Sequence, residues 1–387
     1  MKIISIEPTP SPNTMKLNMD ERLPEGMSIN VTREQVEGAP EYIRRLLQIP
    51  GVKGVFQVSD FIALERHPKA DWQAILSAAR EVLGGEGDVQ TSDDQKEATQ
   101  DGFGEVQVFV QTFRGIPIQV KVVKNGEETR FGLPDRFMEA TMKLKMASPN
   151  IIMERKWEER GVRYGDVNRV GEEVVKEIAA AYDATRLNRM VEEAFRLQAG
   201  ETVHEERLDA DEVARRLDEP NWETRYAALS RMKQPDREAL SVLQKALSDP
   251  HVSVRRLAVA YLGEVDDADV LPLLLKVLKD PSPIVRRTAG DTLSDLGDPR
   301  AIGPMAEALK DPNKLVRWRA ARFLYEVGDE SALPALREAE NDPEFEVRLQ
   351  VRMALERIEK GEEASGTVWQ QMTRAIEKKS GESEDRD

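Results

Sequence analysis

At 387 residues the chain is too long for one hydrophobic core and predicts two or three domains. It contains no cysteine, which excludes disulfides, thiolate catalysis and clusters or zinc held by cysteines of this chain alone. The net charge is −15, and no segment is strongly basic, which argues against nucleic acid as a partner, since binding it requires neutralised phosphates.

The opening MKIISIEPTPSPN lacks an apolar stretch flanked by basic residues, and no apolar run approaches the roughly 20 residues that span a bilayer. A cytoplasmic location with no membrane partner is expected. Ile3–Glu7 and Met15–Met19 read as strands, with PTPSPN as the turn between them. Ala39–Gln48 reads as a helix stopped by Pro50-Gly51. Val52–Ser59 and Phe61–Arg66 form a hairpin pattern, and Asp71 is placed to cap a helix over Trp72–Leu83. The sequence PTPSPNTMKL followed by LLQIPGVKGVFQVSDFIALERHPKADWQAIL resembles the N-terminal domain of Nfu-type iron–sulfur scaffold proteins. That resemblance implies a shared α+β fold for residues 1–83. Such scaffolds bind their cluster through a CxxC motif in another domain, which has no counterpart here.

Residues 84–104 are acidic and polar with no hydrophobic period, the composition of a disordered linker. In 105–200, VQVFVQTF and IPIQVKVV read as strands, and Asn125-Gly126 as a hairpin turn before a strand at Glu128–Phe131. Pro134 opens a helix to about Ala147, 150–164 reads as extended, and Asp166 caps a long helix that runs with a break towards Gln198. This order predicts an α+β middle domain.

From 201 to 360 the chain repeats. Asp-Pro recurs at 249, 280, 311 and 342, always 31 residues apart, and Val-Arg follows at 254, 285, 316 and 347. A shorter first copy carries Glu219-Pro220 and Thr224-Arg225, which makes five units. Each reads as two amphipathic helices, with 254, 258, 262 and 265 on one buried face. Asp236, Asp267, Asp298 and Asp329 mark the turn between the two helices' worth of sequence; the proline after Asp249 and its equivalents suits the first turn of the second helix, and the aspartate is a good cap. The units resemble HEAT-like repeats of the phycobilisome-lyase type, and the resemblance implies an Arg–Asp ladder between neighbours. As a partly exposed ladder, each rung is expected to contribute on the order of 1 kcal/mol or less. Residues 361–387 read as a short helix over Thr367–Lys379 and a disordered acidic tail.

The expected fold class is therefore multidomain: two small α+β domains followed by an all-α HEAT-like superhelical solenoid. The complete order, including FVQTFRGIPIQVKV and RGVRYGD in the middle domain, resembles the bacterial conserved virulence factor C family. That resemblance implies an indirect regulatory role in virulence-factor production.

His67, His204 and His251 have no second histidine or clustered carboxylate at metal-ligand spacing. No GxxxxGK[ST], strand-borne GxGxxG or GxSxG occurs. The expectation is a non-enzymatic scaffold without cofactor or metal, binding other proteins through the concave face of the solenoid. The alternative is an accessory factor in iron–sulfur cluster or cofactor assembly. Subtracting the buried period places Trp318, Arg322 and Tyr325 on an outer helix face, with Leu349, Met353 and Arg287 at matching positions in neighbouring repeats. Trp, Tyr and Arg are enriched at binding hot spots, so these six are the candidate partner residues. Packing of Trp318 on Leu349 between repeats is the competing reading. Arg160, Arg163 and Tyr164, ahead of a helix start, are candidates for holding an anion.

Overall fold

The computed structural model describes residues 2–9, 13–24, 27–33, 36, 38–67, 70–84, 104–124, 126–144, 154–197, 201–203 and 207–361. Most of the expected linker, the expected Thr367–Lys379 helix and the acidic tail lie outside these residues. The chain divides into two compact units. One comprises Met1–Val108, Val122–Thr129 and Gly161–Val170; the other comprises Phe109–Lys121, Arg130–Arg160 and Gly171–Asp387.

The first unit holds an antiparallel five-stranded sheet of order β1-β2-β5-β4-β3. Its strands are β1 (Ile3–Pro8), β2 (Thr14–Met19), β3 (Ser28–Thr32), β4 (Val52–Val58) and β5 (Phe61–Arg66). Strict alternation in β2 and β5 turns Met15, Leu17, Met19, Ile62 and Leu64 into the core. They are joined there by Ile43 and Leu46 of α1 (Glu41–Gln48) and by Trp72 and Ile75 of α2 (Trp72–Leu83). The edge strand β3 was not anticipated; it buries only Val31, too little for a period to show.

A second sheet has the order β8-β7-β6-β9, built from β6 (Glu105–Phe113), β7 (Ile116–Lys124), β8 (Glu127–Gly132) and β9 (Lys156–Tyr164). Its first hairpin turns on Arg114 and Gly115, both at positive φ (49° and 86°), the pair of conformations a tight two-residue loop requires. A non-glycine residue is strained there. The buried Arg114 side chain offsets the strain. It bonds the Ala194 carbonyl at 2.6 Å, the Leu197 carbonyl at 3.1 Å and the Glu154 carboxylate at 3.0 Å. These carbonyls lie at the end of α5 (Ala184–Ala194), which packs with α3 (Asp135–Leu144) around Phe113, Phe137, Leu187 and Met190. Helix α4 (Val167–Ala181) precedes α5, and Asp183 caps the break between them by accepting the Arg186 N–H.

Ten further α-helices follow as five hairpins: α6 (Ala210–Arg216) and α7 (Trp222–Ser230), α8 (Leu240–Ala246) and α9 (Val252–Leu262), α10 (Val270–Val277) and α11 (Pro283–Leu296), α12 (Ile302–Ala308) and α13 (Lys314–Val327), α14 (Leu333–Ala339) and α15 (Phe345–Glu359). Leu243, Leu274, Met305 and Leu336 are buried one repeat apart, as are Val254, Val285, Val316 and Val347. Gly290 shows how closely the units approach: a Cβ there would lie 2.8 Å from Cγ of Arg319.

Asp236, Asp298 and Asp329 each cap a short 3-10 turn before the first helix of a unit, so the turn they mark falls between one unit and the next and not between the two helices of one. The Asp-Pro pairs behave differently from expectation. The second helices start two residues after the proline, and the N-cap is the intervening residue: Asn221, His251, Ser282, Asn313 or Glu344. The aspartate sits too early to cap the helix: its carboxylate accepts the N–H of that intervening residue and is also engaged by an arginine of the preceding unit.

Candidate functional site

The ladder fixes the solenoid. Arg225, Arg255, Arg286 and Arg317 each grip the next unit's Asp249, Asp280, Asp311 and Asp342 with two bonds, Nε to Oδ2 at 2.6–2.7 Å and Nη2 to Oδ1 at 2.8–3.1 Å. Nη1 of each turns back to two carbonyls of its own unit, such as Asp280 and Pro281 for Arg286. The same aspartates accept the N–H two residues on, at 2.7–2.8 Å. The rungs are more deeply set than a partly exposed ladder suggests: the arginine side chains are 10–12% exposed and the aspartates 4–8%. Bidentate geometry and burial put them outside the class of weak surface ion pairs.

Two neighbouring residues in the second unit add a pH-sensitive element. The His251 ring stacks on Trp222 at 3.7 Å, and its Nδ1 accepts the Ser253 N–H to cap α9. Burial lowers the His251 pKa below its ordinary value, against the pull of Asp249 and with the help of Arg225. Protonation at Nδ1 also destroys the cap. The unfolded chain therefore takes up a proton that the folded one resists, and stability is lost as pH falls below about 6.5. His67, also lowered, acts in the same direction in the first unit. His251→Asn retains a cap acceptor, as Asn221 and Asn313 show. It should shrink the difference in thermal midpoint between about pH 7.5 and about pH 6.0. An unchanged difference would remove His251 from this role.

The second helices carry the candidate face. Positions 256, 287, 318 and 349 recur along it, as do 260, 291, 322 and 353. Trp318 and Arg322 are only 3% exposed, so the outward placement expected for them is corrected. Helix α13 is covered on nearly every side, because its neighbours α11 and α15 flank it closely and the 3.6-residue period leaves few positions outside three contacts. Arg322 pairs with Glu326 at 2.6 Å, and the Arg319 guanidinium lies 5.0 Å from the Trp318 ring centre. Arg319 Nε also sits 2.6 Å from an Asp291 oxygen, but its N–H is not aimed at that oxygen, leaving a charge contact and no hydrogen bond. Asp291 lies 3.6 Å from Arg287. Burial raises the Glu326 pKa and lowers that of Arg322, each opposed by the other's charge. Tyr325, Leu349, Met353 and Arg287 are half-buried and border this paired row.

One contact had no signal in the sequence. Arg256 Nη2 holds both oxygens of Glu177 at 2.9 and 3.0 Å, fastening α4 of the middle domain to α9. Glu177 is buried and Arg256 half-buried, and Arg256 occupies the repeat position of Arg287 and Trp318. A separation of 79 residues hides such a contact from any local pattern.

The anion candidates part company. Arg160 lies exposed on β9, 2.8 Å from Glu158. Arg163 and Tyr164 are half-buried at the end of that strand. Asp166 accepts the Asn168 and Arg169 N–H groups at 2.9 and 3.1 Å, so its own carboxylate occupies the first-turn donors of α4 on which an anion cradle depends. Among the described residues no group of three His, Cys, Asp or Glu is placed to hold a metal. No helix among them is long and apolar enough to cross a membrane. His204 lies outside them.

Three family profiles match the chain: the Nfu/NifU scaffold N-terminal domain over 4–87, Virulence factor over 111–191, and HEAT repeats over 210–282 and 271–356. The Uncharacterized protein YpgR of Bacillus subtilis is 56% identical, covering 98% of this chain and 100% of its own. Conserved virulence factor C of Staphylococcus aureus (strain MRSA252) is 46% identical, covering 96% and 99%. Among solved structures, protein SAV1430 of Staphylococcus aureus is 36% identical over 21% of this chain and 98% of its own, with a TM-score of 0.20. On the near-complete match to its relatives, the chain belongs to the conserved virulence factor C family.

Proposed function

We propose that this protein is a non-enzymatic scaffold that holds another protein on the second-helix face of its later repeats and serves a regulatory role in virulence-factor production. The observation that carries the reading is the border of Tyr325, Leu349 and Met353 along a row of charges already fixed by one another. Such a surface offers apolar and aromatic contact without first having to order its polar groups, which lowers the entropic cost of binding. The relatives' name and the HEAT match support the same direction.

The test uses full-length protein recovered from its native cells. Tyr325→Glu with Met353→Glu should abolish capture of the partners that copurify with the unaltered protein. The thermal midpoint should shift by less than about 2 °C, as for substitutions outside the core. Unchanged capture by the folded variant would contradict the assignment of the face.

The Nfu/NifU match over 4–87 favours a second reading, an accessory role in iron–sulfur or cofactor assembly. Cluster-assembly proteins as the dominant captured set, retained by the double variant, would support it over the first.

A further inference from the structure

The ladder has one more arginine than aspartate. Arg348 follows Val347 as Arg317 follows Val316, and its Nη1 is pinned to the Asp342 and Pro343 carbonyls at 2.6 and 2.9 Å. That is the anchorage of the four filled rungs. In those rungs the Nε–Nη2 edge receives a carboxylate 24 or 25 residues further along. Counting 25 on from Arg348 reaches Thr373, which has none. Among the described residues no carboxylate meets Arg348. Two nearby acids are engaged elsewhere, Glu356 with Lys360 at 2.5 Å and Glu359 with Arg337 at 3.0 Å.

Among the described residues the stack also ends here. The equivalent position of successive second helices is Val259 in α9, Gly290 in α11 and Ala321 in α13, all buried, but Arg352 in α15, where the side chain is exposed. Arg352 stands one turn from Arg348 on the same helical face. The last unit therefore closes on two cations, one of them already held in a carboxylate-receiving pose.

We propose that Arg348, with Arg352 beside it, is a carboxylate-binding site, and that its occupant is the acidic C-terminal segment of the same chain. Three observations favour that source. The chain continues for 26 residues past Gly361, and seven of them are acidic. The segment's net charge is −3, complementary to the two arginines. Arg348 lies about 20 Å back along α15 from Gly361, a distance 26 residues span easily. A carboxylate there completes the fifth rung and seals the end of the solenoid, where a repeat array otherwise lacks a neighbour.

Two changes in the full-length protein test this. One is Arg348→Gln. The other neutralises the segment by converting Glu362, Glu363, Glu377, Glu382 and Glu384 to Gln, and Asp385 and Asp387 to Asn. Amide hydrogen exchange across α15 should quicken about two- to fivefold in each variant, and no further when they are combined. Arg348→Lys, which keeps the charge and loses the fork, should fall between. Effects that multiply, or no effect of neutralising the segment, would overturn the proposal. Sedimentation at two concentrations settles the competing source: a dimer that weakens with Arg348→Gln places the carboxylate on a second copy and also overturns it.

Discussion

Replacing Arg286 by alanine should destabilise the protein by about 3–5 kcal/mol, because it strands the buried carboxylate of Asp311 without its partner. Asp311 is 8% exposed, and its two oxygens take 2.6 and 2.8 Å bonds from that one guanidinium. The loss extends beyond the pair. Arg286 also satisfies the Asp280 and Pro281 carbonyls, so one substitution loosens the loop of its own unit and the junction with the next. At the usual conversion for a body of this size the midpoint should fall by roughly 10 °C. Arg300, 64% exposed and paired with Asp298, is the internal control: Arg300→Ala should leave the midpoint unchanged within error. Calorimetry of the two variants decides the matter. Equal, small effects would show that the rungs behave as ordinary surface pairs.

The contrast between these arginines shows what the sequence could and could not convey. A 31-residue period is legible because each unit repeats the same solution to the same problem, so Leu243, Leu274, Met305 and Leu336 advertise the core without any structure. The Arg–Asp ladder between neighbours was implied by the resemblance to HEAT-like repeats, and the structure supplies the pairing 24 or 25 residues apart. Depth was not. Helical periodicity separates one buried face from the rest, but α13 is hemmed in on both sides, and Trp318 and Arg322 therefore lie inside although they fall off the core period. A local pattern scores Asp as an ideal cap and cannot show that its carboxylate holds the N–H of the true cap residue together with an arginine of the preceding unit. Arg114, holding the end of α5 from a strained turn, and Arg256, gripping Glu177 of α4, depend on tertiary placement alone. Of the residues named for the candidate face, the structure buries Trp318 and Arg322 and leaves Tyr325, Leu349 and Met353 half-buried.

Near-identical junctions, repeated every 30 or 31 residues, build the solenoid. Removing residues 280–341 takes out two whole units and brings Asp342 to the position of Asp280, within reach of Arg255. Removing 280–297 takes out α11 alone and leaves two first helices, α10 and α12, in succession with their apolar faces unmatched. Thermal unfolding of both proteins, followed by helical circular dichroism, tests the claim most directly. The larger deletion should give a soluble, cooperatively unfolding protein, and the smaller one aggregation or loss of the cooperative transition. Equal behaviour of the two, or a folded protein from the half-unit deletion only, would contradict it.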